Sequence, residues 1–190
     1  MFNIDNLIEQ CRGAVAEDDP RSAVRELLLP LLERPSAVAE VLGREEGGME
    51  VLYNAPDLTV VNVIWAPHMT IYPHDHRMWA TIGVYGGVEE NTLYRRGPER
   101  IQPAGGRVLE TGDVFSLGPD AIHDVANRRA AFTGAIHVYG GDFVNAPRSQ
   151  WDPDTLFEQP YDLAEVRRRF AAANQEWREQ LGHDLDEATV

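Results

Sequence analysis

Residues 73–87 read PHDHRMWATIGVYGG and residues 112–127 read GDVFSLGPDAIHDVAN, and these two stretches decide how the middle of the chain is built. The first sets His74 and His76 two apart, ahead of the apolar run from Trp79 to Tyr85. On a strand, residues i and i+2 project to the same face, so both imidazoles can address one ion. In the second stretch a Gly112-Asp113 turn leads a short strand, a turn centred on Pro119 follows, and His123 comes just beyond it. Three histidines thereby become available as one ligand set. Asp75 and Asp124 alternate with them and are expected to point away.

Outward from these stretches, β-branched and aromatic runs at 58–65, 79–85, 91–95, 113–117 and 131–139 are broken by Gly, Pro and Asn. This punctuation predicts a compact all-β body from about Val51: a sandwich, barrel or jelly roll in place of a parallel sheet with crossover helices. Both ends read as helix. Ile4, Leu7, Ile8, Cys11 and Val15 recur at spacings of three and four. Asp19-Pro20 opens a second helix carrying Val24, Leu27, Leu28, Leu31 and Leu32, which Pro30 should kink or shorten, and Ser36 to Leu42 forms a third that stops at Gly43. After Pro160, Asp162 with Glu165 makes a capping-box-like start. Leu163, Val166, Phe170, Trp177 and Leu181 form the apolar stripe, Gly182 the stop, and residues 183–190 a frayed end. With no repeat or low-complexity linker, the expectation is one domain over 1–190: N-terminal helices (1–50), a barrel (51–148) and a C-terminal helical segment (149–190).

Across 190 residues, 17 Lys+Arg stand against 31 Asp+Glu, a net charge of −14, with 43% hydrophobic residues. That apolar fraction excludes a disordered chain, and the acidity argues against nucleic acid as a partner. No apolar run reaches the ~18 to 20 residues of a membrane span. The start MFNIDNLIEQ lacks a signal-peptide layout, so the expected location is cytoplasmic with no membrane partner. Cys11 is the only cysteine, which excludes an internal disulfide and a multi-thiolate metal site. Every basic residue is arginine, which excludes Schiff-base lysine chemistry and a P-loop lysine.

The two histidine-bearing segments resemble the paired motifs of the cupin superfamily over about Leu58 to Tyr139. The resemblance implies a mainly β fold, the double-stranded β-helix or jelly-roll barrel, here with flanking N- and C-terminal α-helices, holding one metal in its mouth. Where the usual first motif has a glutamate ligand, this chain has Ala80 and Thr81, which leaves His74, His76 and His123 as metal ligands. Three-histidine cupins point to thiol dioxygenases, and AIHVYGG (135–141) is similar to their Ser-x-His-x-Tyr motif. With the N-terminal helices, most of the chain resembles the 3-mercaptopropionate dioxygenase branch of the cysteine dioxygenase family.

That resemblance implies Fe(II) as cofactor, His137 and Tyr139 as catalytic residues that steer bound O2 and thiolate, and Arg148 as the receiver of a substrate carboxylate. The implied reaction converts a small mercapto-carboxylate, of the 3-mercaptopropionate or cysteine type, to a sulfinate, with the thiol and O2 as the small-molecule partners. Three departures bear on this. Ala135 replaces the motif's serine, so the relay is expected to be weakened or water-filled. Ala55, in Tyr53-Asn54-Ala55, supplies no substrate-contacting Arg or Gln. Cys11, far from the barrel, cannot form the thioether cross-link of animal cysteine dioxygenases. The same ligand set on Mn, Ni or Zn would also suit a C–C dioxygenase, lyase or isomerase, or a non-catalytic cupin that binds a small ligand. His68 and His183 read as bland, and Trp79 as packing.

Overall fold

The structure, a computed structural model, describes residues 2–187, with side chains described through residue 182. Three helices open the chain: α1 (Ile4–Val15), α2 (Pro20–Leu31) and α3 (Pro35–Leu42). Their starts follow from local chemistry. The Asn3 side chain accepts from the Asn6 N–H, and Asp19 accepts from the Ser22 N–H with Pro20 at the first helical position. Pro30 falls in the last turn of α2, which ends one residue later.

Eleven strands and a last helix follow: β1 (Gly48–Asn54), β2 (Thr59–Trp65), β3 (Thr70–Asp75), β4 (Ala80–Gly86), β5 (Val88–Arg96), β6 (Ile101–Glu110), β7 (Val114–Leu117), β8 (Ile122–Ala126), β9 (Thr133–Tyr139), β10 (Ser149–Trp151), β11 (Glu158–Pro160) and α4 (Leu163–Glu187). Their pairing is nested. β5 pairs with β6, β4 with β7, β3 with β8 and β2 with β9, all antiparallel. One long hairpin is thus wound into two sheets, ordered β1-β2-β9-β4-β7 and β11-β10-β3-β8-β5-β6. That winding is the double-stranded β-helix, with helices flanking it at both ends of the chain.

The first sheet is covered on both faces. Val61, Val63 and Trp65 of β2 and Ala135 and Tyr139 of β9 enter the barrel cluster. The alternate residues Val60, Ile64, Ile136 and Val138 pack outward on Leu7, Cys11, Val24, Leu28, Val38 and Leu42 of the three helices. Covering both faces explains why β2 and β9 are apolar almost without alternation. Each such side chain contributes on the order of 2 kcal/mol. Polar atoms at this seam are matched: Asn62 donates to the Leu42 carbonyl at the end of α3 and accepts from the Tyr85 hydroxyl. At the other end of the chain, α4 sends Val166, Phe170 and Ala173 into the barrel cluster, and Asn174 exchanges two hydrogen bonds with the Gly47 backbone.

One expectation is corrected, and one strand joins those the sequence showed. α4 does not stop at Gly182 but runs on to Glu187, so residues 183–187 are helical, while residues 188–190 lie outside the described residues. One helical glycine costs only about 1 kcal/mol, too little to end a helix of this length. β6 arises from IQPAGGRVLE, where Pro103, Gly105 and Gly106 hid a strand that its register with β5 imposes.

Candidate metal centre

His74 lies on β3 and His123 directly opposite on β8, as register partners. His76 follows one residue past the end of β3, where Arg77 takes a left-handed conformation (φ 55°) and turns the chain. The three imidazoles are buried and each offers a nitrogen within 4.8 Å of the others. The His76 and His123 Nε2 atoms are 3.2 Å apart. Outer hydrogen bonds fix two of the rings. His74 Nδ1–H donates to the Tyr72 carbonyl (3.0 Å) and His123 Nδ1–H to Asn91 Oδ1 (2.6 Å), which leaves both Nε2 lone pairs free to ligate. Burial also holds the set neutral. Desolvation pushes His74 down to about 4, against a raising hydrogen bond to Tyr72, and Arg148 adds to the lowering. His76 and His123 lie well below the usual histidine range, first through burial and then through neighbouring imidazoles. Neutral imidazoles are the form a metal takes.

As expected, the alternating carboxylates face away. Asp75 accepts from the Ser149 N–H and from Arg96, and Asp124 from the Thr92 N–H and the Tyr94 hydroxyl.

His137 and Tyr139 share a face of β9 and line the same cavity as the three histidines, together with Val63, Trp65 and Phe143. Tyr139 Oη lies 3.1 Å from His137 Nδ1. Ala135 is fully buried in the barrel cluster, and a carboxylate from another strand reaches His137. Glu89 of β5 is completely buried, with Oε2 3.2 Å from His137 Nε2. Trp65 Nε1 donates to the same oxygen (2.7 Å) and Asn91 Nδ2 to the other (3.0 Å). Burial raises the Glu89 pKa, but His137 and these hydrogen bonds outweigh it and keep the carboxylate below its ordinary value. His137 thus bridges Tyr139 and Glu89, one ring nitrogen to each, and His123 is linked through Asn91 to the same carboxylate. Burial holds the Tyr139 phenol well above its ordinary range, hence protonated.

Glu89 and Asn91 escaped the sequence reading. They stand in GGVEEN beside the half-buried Glu90 and look like ordinary hairpin polarity. The available signal was their i, i+2 relation on β5, which puts both on one face.

Arg148 stands one layer further out. Its guanidinium carbon sits 3.9 Å from the Phe143 ring centre and 4.0 Å from that of Tyr161, and Nη1 donates to the Phe143 carbonyl. Phe143 in turn stacks on Tyr139 at 3.9 Å. Arg148 lines an adjoining cavity instead of the histidine cavity itself. Ala55 lines neither; the β1 residue that reaches both is Met49. His68 is exposed, and Trp79 packs on the helical side of the sheet and closes on Gly140. The His183 side chain lies outside the described residues. Cys11, on the buried face of α1, has its thiol pushed up to about 12 by desolvation.

No family model matches the sequence. Similar solved structures include cupins. An RmlC-like cupin family protein with a double-stranded β-helix fold from Methanocaldococcus jannaschii is 11% identical, covering 54% of this chain and 89% of its own, with a TM-score of 0.45. A conserved protein with a double-stranded β-helix domain from Klebsiella pneumoniae is 22% identical, over 55% of this chain and 79% of its own, with a TM-score of 0.43. A cupin superfamily protein from Desulfitobacterium hafniense is 13% identical, over 52% and 82%, with a TM-score of 0.42. No described helix is long and apolar enough to cross a membrane.

Proposed function

We propose that the protein is a thiol dioxygenase that holds one Fe(II) on His74, His76 and His123 and oxidises a mercapto-carboxylate to its sulfinate. The observation that carries the reading is the hydrogen-bonded Tyr139–His137 pair facing the same cavity as three neutral histidines, with no carboxylate lining that cavity among the described residues. The donor set fits such an ion: three imidazoles with converging nitrogens, two of them, His74 and His123, with their outer nitrogens engaged. Iron bound there supplies a positive centre that deprotonates a thiol and activates O2 beside it.

The chain's own groups do the rest. Val63, Ile71, Val125 and Val166 keep the cavity walls apolar and exclude water. Tyr139, protonated and held by His137, directs a polar group at the reacting atoms, and Glu89 fixes the His137 ring so that this direction does not wander. Arg148 is the cation nearest to hand for a substrate carboxylate. Overall, R–S⁻ and O2 combine to R–SO2⁻, both oxygen atoms passing to sulfur.

Anaerobically iron-loaded protein should take up O2 with 3-mercaptopropionate, cysteine or mercaptosuccinate and release sulfinate. No uptake with any thiol, despite bound iron, would remove the proposal. In the active enzyme, Arg148→Ala should raise KM for an acidic thiol about tenfold or more while leaving cysteamine, which has no carboxylate, unchanged. Equal effects on both would make Arg148 a packing residue.

A second reading rests on Glu89. A relay ending in a buried carboxylate can also accept a proton from Tyr139, as an isomerase or lyase would need. Turnover without oxygen would favour it.

A further inference from the structure

Asp75 stands between His74 and His76, faces away from them, and keeps only 2% of its side chain exposed. Its Oδ1 accepts from the Ser149 N–H (2.8 Å), and its Oδ2 lies 3.1 Å from Arg96 Nη2 and 3.4 Å from Arg77 Nε. The contacts continue outward. The other arm of the Arg96 guanidinium reaches Glu158 (3.2 Å), and Arg77 donates to the Ser149 hydroxyl, which donates to Glu158. Ends of β3, β5, β10 and β11 thus meet in one cluster of two acids and two arginines.

Two features connect this cluster to the candidate ligands. His74 and His123 are fixed by hydrogen bonds of their own rings, whereas His76 sits past the end of β3, between Asp75 and Arg77, in a turn where Arg77 takes φ 55°. Apart from ring packing on Tyr139 and Phe143, His76 is placed by these two neighbours, and they are clasped to each other and to the sheet. Second, β10 meets β3 through a single register pair, Gln150 with His74, so much of the hold on that edge falls to the side chains of the cluster. Arg77 and Arg96 are about half exposed, where an ion pair adds little to stability. Their planar forks, anchored on a buried carboxylate, constrain geometry instead.

We propose that Asp75, Arg77 and Arg96 are positioning residues for the metal centre: an ionic clasp outside the barrel that holds the His76 imidazole where its nitrogen meets those of His74 and His123. The clasp rests on the three-histidine metal site of the function proposed above and is independent of iron and of the thiol chemistry.

Co(II) tests it on the full-length protein, by chelator competition for affinity and by the visible spectrum of the bound ion for geometry. Arg96→Met and Arg77→Met should each weaken Co(II) about tenfold and alter the spectrum at saturation, the effect usual for groups that orient a ligand. The sign is diagnostic, because each change makes the chain more negative and charge alone would tighten a cation. Arg128→Met removes the same charge from an exposed pair with Glu90, and should bind Co(II) no more weakly than the parent, with the parent's spectrum. Arg96→Lys keeps the charge but not the fork that spans Asp75 and Glu158, and should fall between parent and Arg96→Met. Parental affinity and spectrum in Arg96→Met and Arg77→Met would overturn the proposal, even with a lowered melting temperature, since the cluster would then be a brace for the fold alone. An equal loss in Arg128→Met would overturn it too, by tracing the effect to surface charge. A parent that binds no Co(II) would remove the metal site and the clasp together. Clasp-dependent Co(II) binding with no O2 uptake by the iron-loaded parent would uphold the clasp and overturn the oxidation chemistry.

Discussion

Glu89 is the residue on which the site turns. A carboxylate removed from water is held ionised only by donors, and here Trp65, Asn91 and His137 supply them. Replacing it with alanine would strand those donors and should destabilise the protein by about 3–5 kcal/mol in denaturant melts. Glu89→Gln keeps the shape but sets an amide N–H against at least one donor. On the proposed function we expect kcat to fall about 10- to 100-fold with little change in KM, and the pH profile of kcat to shift, while bound metal stays stoichiometric because none of the three candidate ligands is touched. Unchanged kcat and pH profile would show the relay to be idle. His74 and His76 were legible because their spacing is local, and His123 because its turn-and-strand stretch resembles a known motif; Glu89 was not, because its meaning comes from Trp65 and His137, which lie 24 and 48 residues away. Ala135 meets the same limit: the sequence shows a lost hydroxyl but not the carboxylate that reaches His137 from another strand.

Among the elements, those whose pattern reflects burial were readable and those held by their neighbours were not. The helices α1 to α3 declared themselves by apolar spacing and caps, and β2, β4 and β9 by continuous apolar runs. β6 is exposed along most of its length and exists by pairing with β5. Glycines divide the same way. A Cβ at Gly140 would stand 2.0 Å from the Trp79 ring, so Gly140→Ala should cost about 2–4 kcal/mol and lower the melting temperature. A Cβ at Gly182, inside α4, meets nothing, and Gly182→Ala should stabilise by up to about 1 kcal/mol in the same assay. The misread helix stop at Gly182 and the unrecognised closeness at Gly140 are two sides of one fact: the letter does not say whether space or contact surrounds it.

At the scale of the whole molecule, the buried imidazoles link stability to pH. In the unfolded chain His74 takes up a proton near its ordinary value of 6.5, whereas folded it refuses one until about 4. The unfolded state therefore binds more protons between these values, and the metal-free protein should lose stability as pH falls from 6.5 towards 4, by roughly 3 kcal/mol from this residue alone. His76 and His123 act in the same direction. Urea melts at pH 7 and pH 5 on chelator-treated protein measure the loss; a flat dependence would mean that the rings are hydrated.

The nested pairing also orders events in time. Once β5 closes on β6 through residues 97–100, each further pair, β4 with β7, then β3 with β8, then β2 with β9, has only the short links 87 and 111–113, 76–79 and 118–121, and 66–69 and 127–132 left to close. Loop closure grows costly only with the logarithm of length, but a zipper of short links avoids even that. We therefore expect assembly to travel from the β5–β6 tip, where Glu89 and Asn91 already sit, to the β3–β8 pair, which delivers His74 and His123 onto a waiting polar cluster. A metal arriving at the third step should leave the refolding rate alone and slow unfolding, lengthening the life of the folded chain without hastening its birth.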